Sequence, residues 1–340
     1  MNKENLRIDF VIPWVDGNDI EWRNSFLEYL PESRKTDDVR DVRYRDWGLL
    51  HYWFRGVEKF TPWVNKIYFI TCGHYPSWLN LNHPKLCLVK HSDYIPMECL
   101  PIFSSHPIEL NLHRIKDLSE HFVYFNDDTF LIDKVRKERF FQNGLPCDMA
   151  AFDVVASLSA ADKFAHITLN NVSAINQRFR KFDVLRSYWG KWFNPRYGVS
   201  LLQTLALLPW PYFTGFENPH LPNAFLKSTL QEVWDIYGEL LQKTSAAKFR
   251  SVNDYSQWLF RYWQLVKGDF HPLNVYDSSI YYVIEKKTIS QIEKVISGQK
   301  KQLIVLNDVE RDTPIDIEEY TIRLHTAFNK ILPDKSSFER

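Results

Sequence analysis

The sequence predicts an α/β fold: a mostly parallel sheet, helices on both of its faces, and a helical insertion. Two observations predict it. Short β-branched runs alternate with stretches of helical spacing, the pattern of strand–helix–strand units. Two of the early runs also stop in turns rich in acids and amides, Asp16-Gly17-Asn18-Asp19 and Asn126-Asp127-Asp128. In a parallel sheet the ligand lies beyond the carboxyl ends of the strands, where such turns are displayed.

Taken in order, Arg7–Val15 (RIDFVIPWV) reads as a buried strand ending in the first acidic turn. Asp46–Phe60 carries Leu49, Tyr52, Trp53, Phe54 and Val57 at helical spacing. Strands are expected at Lys66–Thr71 and Leu86–Lys90, a helix over Pro107–Leu118, and a strand at Phe122–Phe125 that runs into the second acidic turn. The stretch Ala160–Leu208 is mixed, aromatic and partly helical, and Pro209–Pro222 is a loop rich in proline and aromatics. Leu226–Leu241 and Tyr255–Val266 read as helices on either side of Arg250. A strand at Ser279–Ile284, a helix at Ile289–Ile296, a strand at Gln302–Leu306 and a helix at Ile317–Ile331 complete the order. With no internal repeat or long linker, the expectation is one Rossmann-like domain over residues 1–340, with a helical insertion at about 160–245.

Composition narrows the partners. Lys plus Arg and Asp plus Glu are 42 each, so no overall field steers the chain to nucleic acid, and no nucleic-acid partner is expected. With 45% hydrophobic residues there is ample core. Cys72, Cys87, Cys99 and Cys147 form no CxxC pair and read as free thiols. The opening MNKENLRIDF lacks the layout of a signal peptide. No window approaches the ~20 apolar residues of a membrane span. A cytoplasmic protein is expected, peripheral to the inner face of a bacterial membrane through its substrate.

Candidate chemistry starts at Asn126-Asp127-Asp128. Hard divalent cations take oxygen ligands from one or two carboxylates together with substrate phosphates and water, and a solvated turn rich in Asn and Asp has the same composition. The turn holding Asp16 and Asn18 suits contact with a nucleobase or ribose, and equally an ordinary strand-to-helix turn. Glu109 and His113, four apart on the expected helix, would share one face. His220 lies between two prolines, and its imidazole titrates near neutral pH. Arg250 offers a planar fork for phosphate. Each of the three is as familiar in a structural role: a surface glutamate, a satisfied histidine, a solvated arginine.

Four blocks carry a resemblance. They are IDFVIPWVDGND from Ile8; a long block over about Val42–Asp133 containing PSWLN, HSDYIP and IELNLHRIKDLSEHFVYFNDDTFL; ENPHLPNAFLKSTLQEVW through KFRSVNDYSQWLF; and LIVLND with LPDKSSFE. In these the chain resembles the Stealth proteins, which include bacterial capsular polysaccharide phosphotransferases and the animal enzyme that places N-acetylglucosamine-1-phosphate on lysosomal glycoproteins. The resemblance implies an essential acidic pair, Glu109 and Asp128, an essential histidine, His220, and an essential arginine, Arg250. It implies that Asp16 and Asn18 face the nucleotide-sugar, and that Asp128 and Asp127 hold Mg2+ or Mn2+. The reaction it implies is transfer of sugar-1-phosphate from a UDP-hexose or UDP-N-acetylhexosamine to a saccharide hydroxyl. The product would be a phosphodiester in capsular or other surface polysaccharide, with UMP released. The acceptor would be lipid-linked or a growing polysaccharide. The aromatic segment Phe164–Trp192 is expected to supply part of the acceptor surface, or equally to be core. The chain lacks the inserted modules and anchors of the animal enzymes, which favours the bacterial branch. The rival readings are a metal-dependent glycosyltransferase, which releases UDP, and a non-catalytic binding scaffold.

Overall fold

The computed structural model describes residues 6–31, 45–157, 159–160, 162–309 and 316–340. Its strands are β1 (Ile8–Pro13), β2 (Ile67–Thr71), β3 (Leu86–Lys90), β4 (His121–Tyr124), β5 (Thr129–Leu131), β6 (Phe141–Gln142), β7 (Leu145–Asp148), β8 (Asn223–Leu226), β9 (His271–Pro272), β10 (Ser279–Val283) and β11 (Leu303–Asn307). Its helices are α1 (Ile20–Tyr29), α2 (Leu50–Phe60), α3 (Ser105–Leu110), α4 (Lys163–Arg178), α5 (Lys181–Ser187), α6 (Trp189–Trp192), α7 (Val199–Ala206), α8 (Lys227–Ser245), α9 (Trp258–Lys267), α10 (Ile289–Ser297) and α11 (Ile317–Ile331).

The central sheet has the order β3-β2-β1-β4-β8. Its first four strands are parallel, with Phe10 opposite Ile67 on one side and Val123 on the other. β1 and β2 are nearly continuous apolar runs because helices cover both faces of the sheet. The expected α/β class and mostly parallel sheet are what the chain adopts.

Three features differ from expectation. Asn223–Leu226, at the junction between the expected loop and the helix expected from Leu226, is an antiparallel edge strand on β4. It returns the chain to the central sheet in the middle of the segment read as an insertion. The two late strands do not join the central sheet. They form a second sheet, β10-β11-β5, in which the unforeseen β5 runs antiparallel to β11. Third, the helix expected over Pro107–Leu118 stops at Leu110. The Asn111 amide turns back to the Pro107 carbonyl (2.8 Å) and to the Ser245 hydroxyl (2.9 Å), and a separate 3-10 turn, Leu112–Arg114, follows.

Two packing arrangements fix the site. α2 buries Tyr52, Trp53, Phe54 and Val57, and Tyr52 stacks on Phe328 of α11 with ring centroids 5.0 Å apart. α2 lies so close to β5 that a Cβ on Gly56 would stand 2.8 Å from the Leu131 carbonyl oxygen. α9 is buried nearly all round, its polar Arg261 and Gln264 included. Its Arg261 spans to Asp148 of β7 with Nε–Oδ2 2.7 Å and Nη2–Oδ1 2.8 Å. Among the described residues, no helix is long and apolar enough to cross a membrane, and the four cysteines are free thiols.

Candidate active site

A cavity of about 770 Å³ opens beyond the carboxyl ends of β1 and β4, the position that a parallel sheet reserves for ligands. Glu109, Asp127, Asp128, His220 and Arg250 all line it. The acidic turn between β4 and β5 connects the central sheet to the second one. It is held in place from β11, whose Leu306 N–H donates to the Asp128 carbonyl (2.8 Å).

His220 Nε2 lies 3.1 Å from Asp128 Oδ2, and the other carboxylate oxygen of Asp128 accepts from the Thr129 hydroxyl (3.2 Å). Burial alone would lower the affinity of this imidazole for protons. The hydrogen bond to Asp128 and that carboxylate's charge outweigh it, so the His220 pKa rises above its ordinary value. His220 has a φ of 21°, an uncommon conformation for a residue with a side chain, and its ring meets Tyr281 edge-on. The loop is therefore set by its surroundings, which aim the imidazole at the acidic turn.

Glu109 is buried on α3, where one carboxylate oxygen accepts from the Gln257 N–H (3.2 Å). Arg250 Nη2 donates to the hydroxyl of Ser105, the first residue of the same helix (3.1 Å). The acid and the guanidinium thus share one short scaffold. His113, expected on the same face as Glu109, instead packs against Trp234, because the helix ends between the two residues. Asp254 braces the Arg250 loop. It accepts from the Ser251 N–H (2.9 Å) and pairs with buried His106 (3.1 Å).

Asp127 opens into the cavity. Its side chain is exposed, yet partial loss of water inside the cavity, and then repulsion by Asp128, raise its carboxyl above the ordinary carboxylate range. Tyr124, the last residue of β4, also reaches the cavity. Its hydroxyl is buried and has no hydrogen-bond partner among the described residues, and the charges of Glu109, Asp127 and Arg250 act on it. Sequence reasoning missed Tyr124, Ser105, Gln257 and Asp254. Two of them were within reach: Tyr124 immediately precedes Phe125 and the acidic turn, and Asp254 lies in the same block as Arg250.

Asp16 and Asn18 stand apart from this group. Asp16 lines a neighbouring pocket of about 320 Å³ with Asp46, His74, Tyr75 and Trp78. Trp14, Asp46 and Leu50 belong to both pockets, so the two are contiguous. The Asp16 N–H donates to His74 Nε2 (2.8 Å). Asn18 is exposed and lines neither pocket, and its N–H donates to the Asp16 carboxylate (2.8 Å).

The donor set can be tested against a cation. No group of three or more His, Cys, Asp or Glu side chains gathers as a ready cage among the described residues. Asp127 and Asp128 are adjacent hard-oxygen donors, and their repulsion is only partly offset by His220. That fits a divalent cation completing its shell with phosphate and water.

The chain matches three conserved regions of the Stealth proteins: conserved region 1 at residues 6–34, conserved region 2 at 43–148 and conserved region 3 at 219–263. It is 43% identical over 339 residues to the capsular polysaccharide phosphotransferase WcwK of Streptococcus pneumoniae, covering 99% of both chains. The exopolysaccharide phosphotransferase cps2G of Lactiplantibacillus plantarum is 39% identical over 334 residues, covering 98% of this chain and 96% of the relative. The receptor polysaccharide phosphotransferase WefC of Streptococcus gordonii is 39% identical over 337 residues, covering 98% and 99%. Among solved structures, the galactosyltransferase LgtC aligns over 94% of this chain and 95% of its own with a TM-score of 0.37 and 11% identity, too remote to inform the reaction. With three family regions in place and relatives matched from end to end, the chain belongs to the Stealth family and is a phosphotransferase.

Proposed function

We propose that this enzyme transfers sugar-1-phosphate from a UDP-hexose or UDP-N-acetylhexosamine to a saccharide hydroxyl, releasing UMP and leaving a phosphodiester in capsular or other surface polysaccharide. One observation carries the reading. Carboxylates, an imidazole and a guanidinium drawn from four distant segments line a single cavity with room for a diphosphate.

The acceptor oxygen attacks the phosphorus that bears the sugar. The bond from that phosphorus to the bridging oxygen breaks, and UMP departs with the electron pair. Such transfer depends on alignment and charge neutralisation more than on covalent help from the protein. His220 takes the acceptor proton. Its Nε2 faces Asp128, which holds the ring in orientation and stabilises the imidazolium that forms, leaving Nδ1 for the acceptor. Arg250 lies against the transferred phosphoryl group, where a fixed positive charge contributes about 3–4 kcal/mol. Glu109, fixed by the Gln257 N–H, orients the acceptor or a ligand water. Asp127 and Asp128 would hold Mg2+ or Mn2+, which supplies neutralisation of the diphosphate charge when bound. The pocket around Asp16, contiguous with the main cavity, receives the nucleoside end of the donor. The acceptor is lipid-linked or a growing polysaccharide, met at the inner face of the membrane.

The test is a panel of nucleotide sugars with and without EDTA, scored by the nucleotide released. Metal-dependent UMP release with phosphate retained in the product supports the reading. Release of UDP would make the enzyme a glycosyltransferase, and no turnover with any donor would leave a binding scaffold.

A further inference from the structure

We infer that the segment from α5 to Tyr212 is a docking surface for an anionic lipid bilayer. Soluble proteins scatter exposed apolar residues singly. Here they are gathered. Along α7, Val199 and Leu202 are 80% and 65% exposed, and Leu205 continues the stripe at the same spacing of three. Just beyond the helix, Trp210 and Tyr212 are 53% and 68% exposed.

The patch is a built surface. Lys181, at the start of α5, is buried and drives its ammonium into the chain that follows α7, donating to the carbonyls of Leu207 (2.7 Å) and Trp210 (2.8 Å). That clamp fastens the Trp210 loop beside the exposed ring of Phe182. Aliphatic side chains flanked by Trp and Tyr are what an interfacial helix presents to the boundary between headgroups and acyl chains.

Charge selects the occupant. The whole chain is balanced at 42 against 42, yet residues 178–212 hold six bases and a single acid, Asp183. Arg178, Arg180, Arg186 and Arg196 are exposed. Asp153 also lies against α7, accepting from Gln203 (2.8 Å), but apolar anchors beside four exposed arginines still match a membrane whose lipids are negative. A second copy of this chain would bring the same charge and be repelled.

The surface rests on the proposed reaction only for its purpose, delivery to a membrane-borne acceptor. Its binding is independent of turnover, so the two can fail separately. The experiment is co-sedimentation of the full chain with phosphatidylcholine vesicles, with and without phosphatidylglycerol, alongside release of UMP in solution and analytical ultracentrifugation. The wild type should partition to the anionic vesicles, less so as salt rises. Leu202→Glu with Trp210→Ser should abolish partitioning, and Arg196→Glu should weaken it by about fivefold or more. Both sets should release UMP at the wild-type rate. Equal binding to neutral and anionic vesicles, binding unchanged in these variants, or a dimer that Leu202→Glu dissociates would overturn the inference.

Discussion

His220 Nε2 stands 3.1 Å from Asp128 Oδ2 across 92 residues of sequence. If the pair works as one unit, His220→Ala and Asp128→Asn should each lower turnover by about 100- to 10,000-fold. The double variant should lose little more than either single one, because removing one partner already disables the other. Steady-state kinetics with circular dichroism as a control for folding would check this, and strictly multiplicative losses would separate the two residues.

Arg250 is positioned by the Ser105 hydroxyl. Arg250→Ala should lose about 100- to 1,000-fold in turnover. Arg250→Lys should recover only part of that, since an ammonium lacks the planar fork. Ser105→Ala is expected to give a smaller loss, read in kcat more than in KM.

Tyr124 makes a sharper prediction. Its hydroxyl is buried without a partner among the described residues, so Tyr124→Phe removes an unsatisfied group. Stability should hold or rise by about 1 kcal/mol. If the hydroxyl donates to a charged group of the bound donor, kcat/KM should fall by about 10- to 100-fold. A Phe variant that is both stable and fully active would assign the hydroxyl no part in the reaction.

The Arg261–Asp148 pair is fully enclosed on the arginine side and joins α9 to β7. Arg261→Met would leave a confined carboxylate without its partner. Unfolding in urea should show a loss of about 3–5 kcal/mol. Asp148→Asn with Arg261→Met together should recover much of it.

Acid should destabilise the fold before most carboxylates titrate. Burial holds His51, His91 and His113 at about 4, below the ordinary imidazole value. In the unfolded chain these rings take up protons near pH ~6.5. The unfolded state therefore binds more protons across the interval, and stability falls as the pH drops from about 6.5 toward 4. Because His51 and His91 keep some solvent contact, the combined loss is about 1–3 kcal/mol. Urea midpoints across this range would measure it, and His51→Gln should flatten the slope.

The parallel strands were legible because buried strands are written as unbroken apolar runs: RIDFVIPWV, KIYFIT and LCLVK each fell within two residues of the observed element. β5 and β8 were not legible. Each has only three or four residues, too few for an alternation to register, and each exists because of a partner supplied elsewhere, β11 for one and β4 for the other. The break in the Pro107–Leu118 helix was hidden for a related reason, since it depends on an amide reaching Ser245. In the site, the acidic turn announced itself locally. Glu109, His220 and Arg250 carry no local signal, and only the folded chain or its family blocks bring them to one cavity. The clamp by Lys181 reads in sequence as one more surface base.

The walls of the cavity come from residues as far apart as Pro13 and Asp308, so no contiguous stretch of the polypeptide owns the reaction. A fragment ending before Pro219 would carry the acids without imidazole or guanidinium, and its complement the reverse. Nonsense alleles of such an enzyme would be silent, not miscatalytic, and two halves that regain turnover only on mixing would make a sensitive reporter of correct assembly.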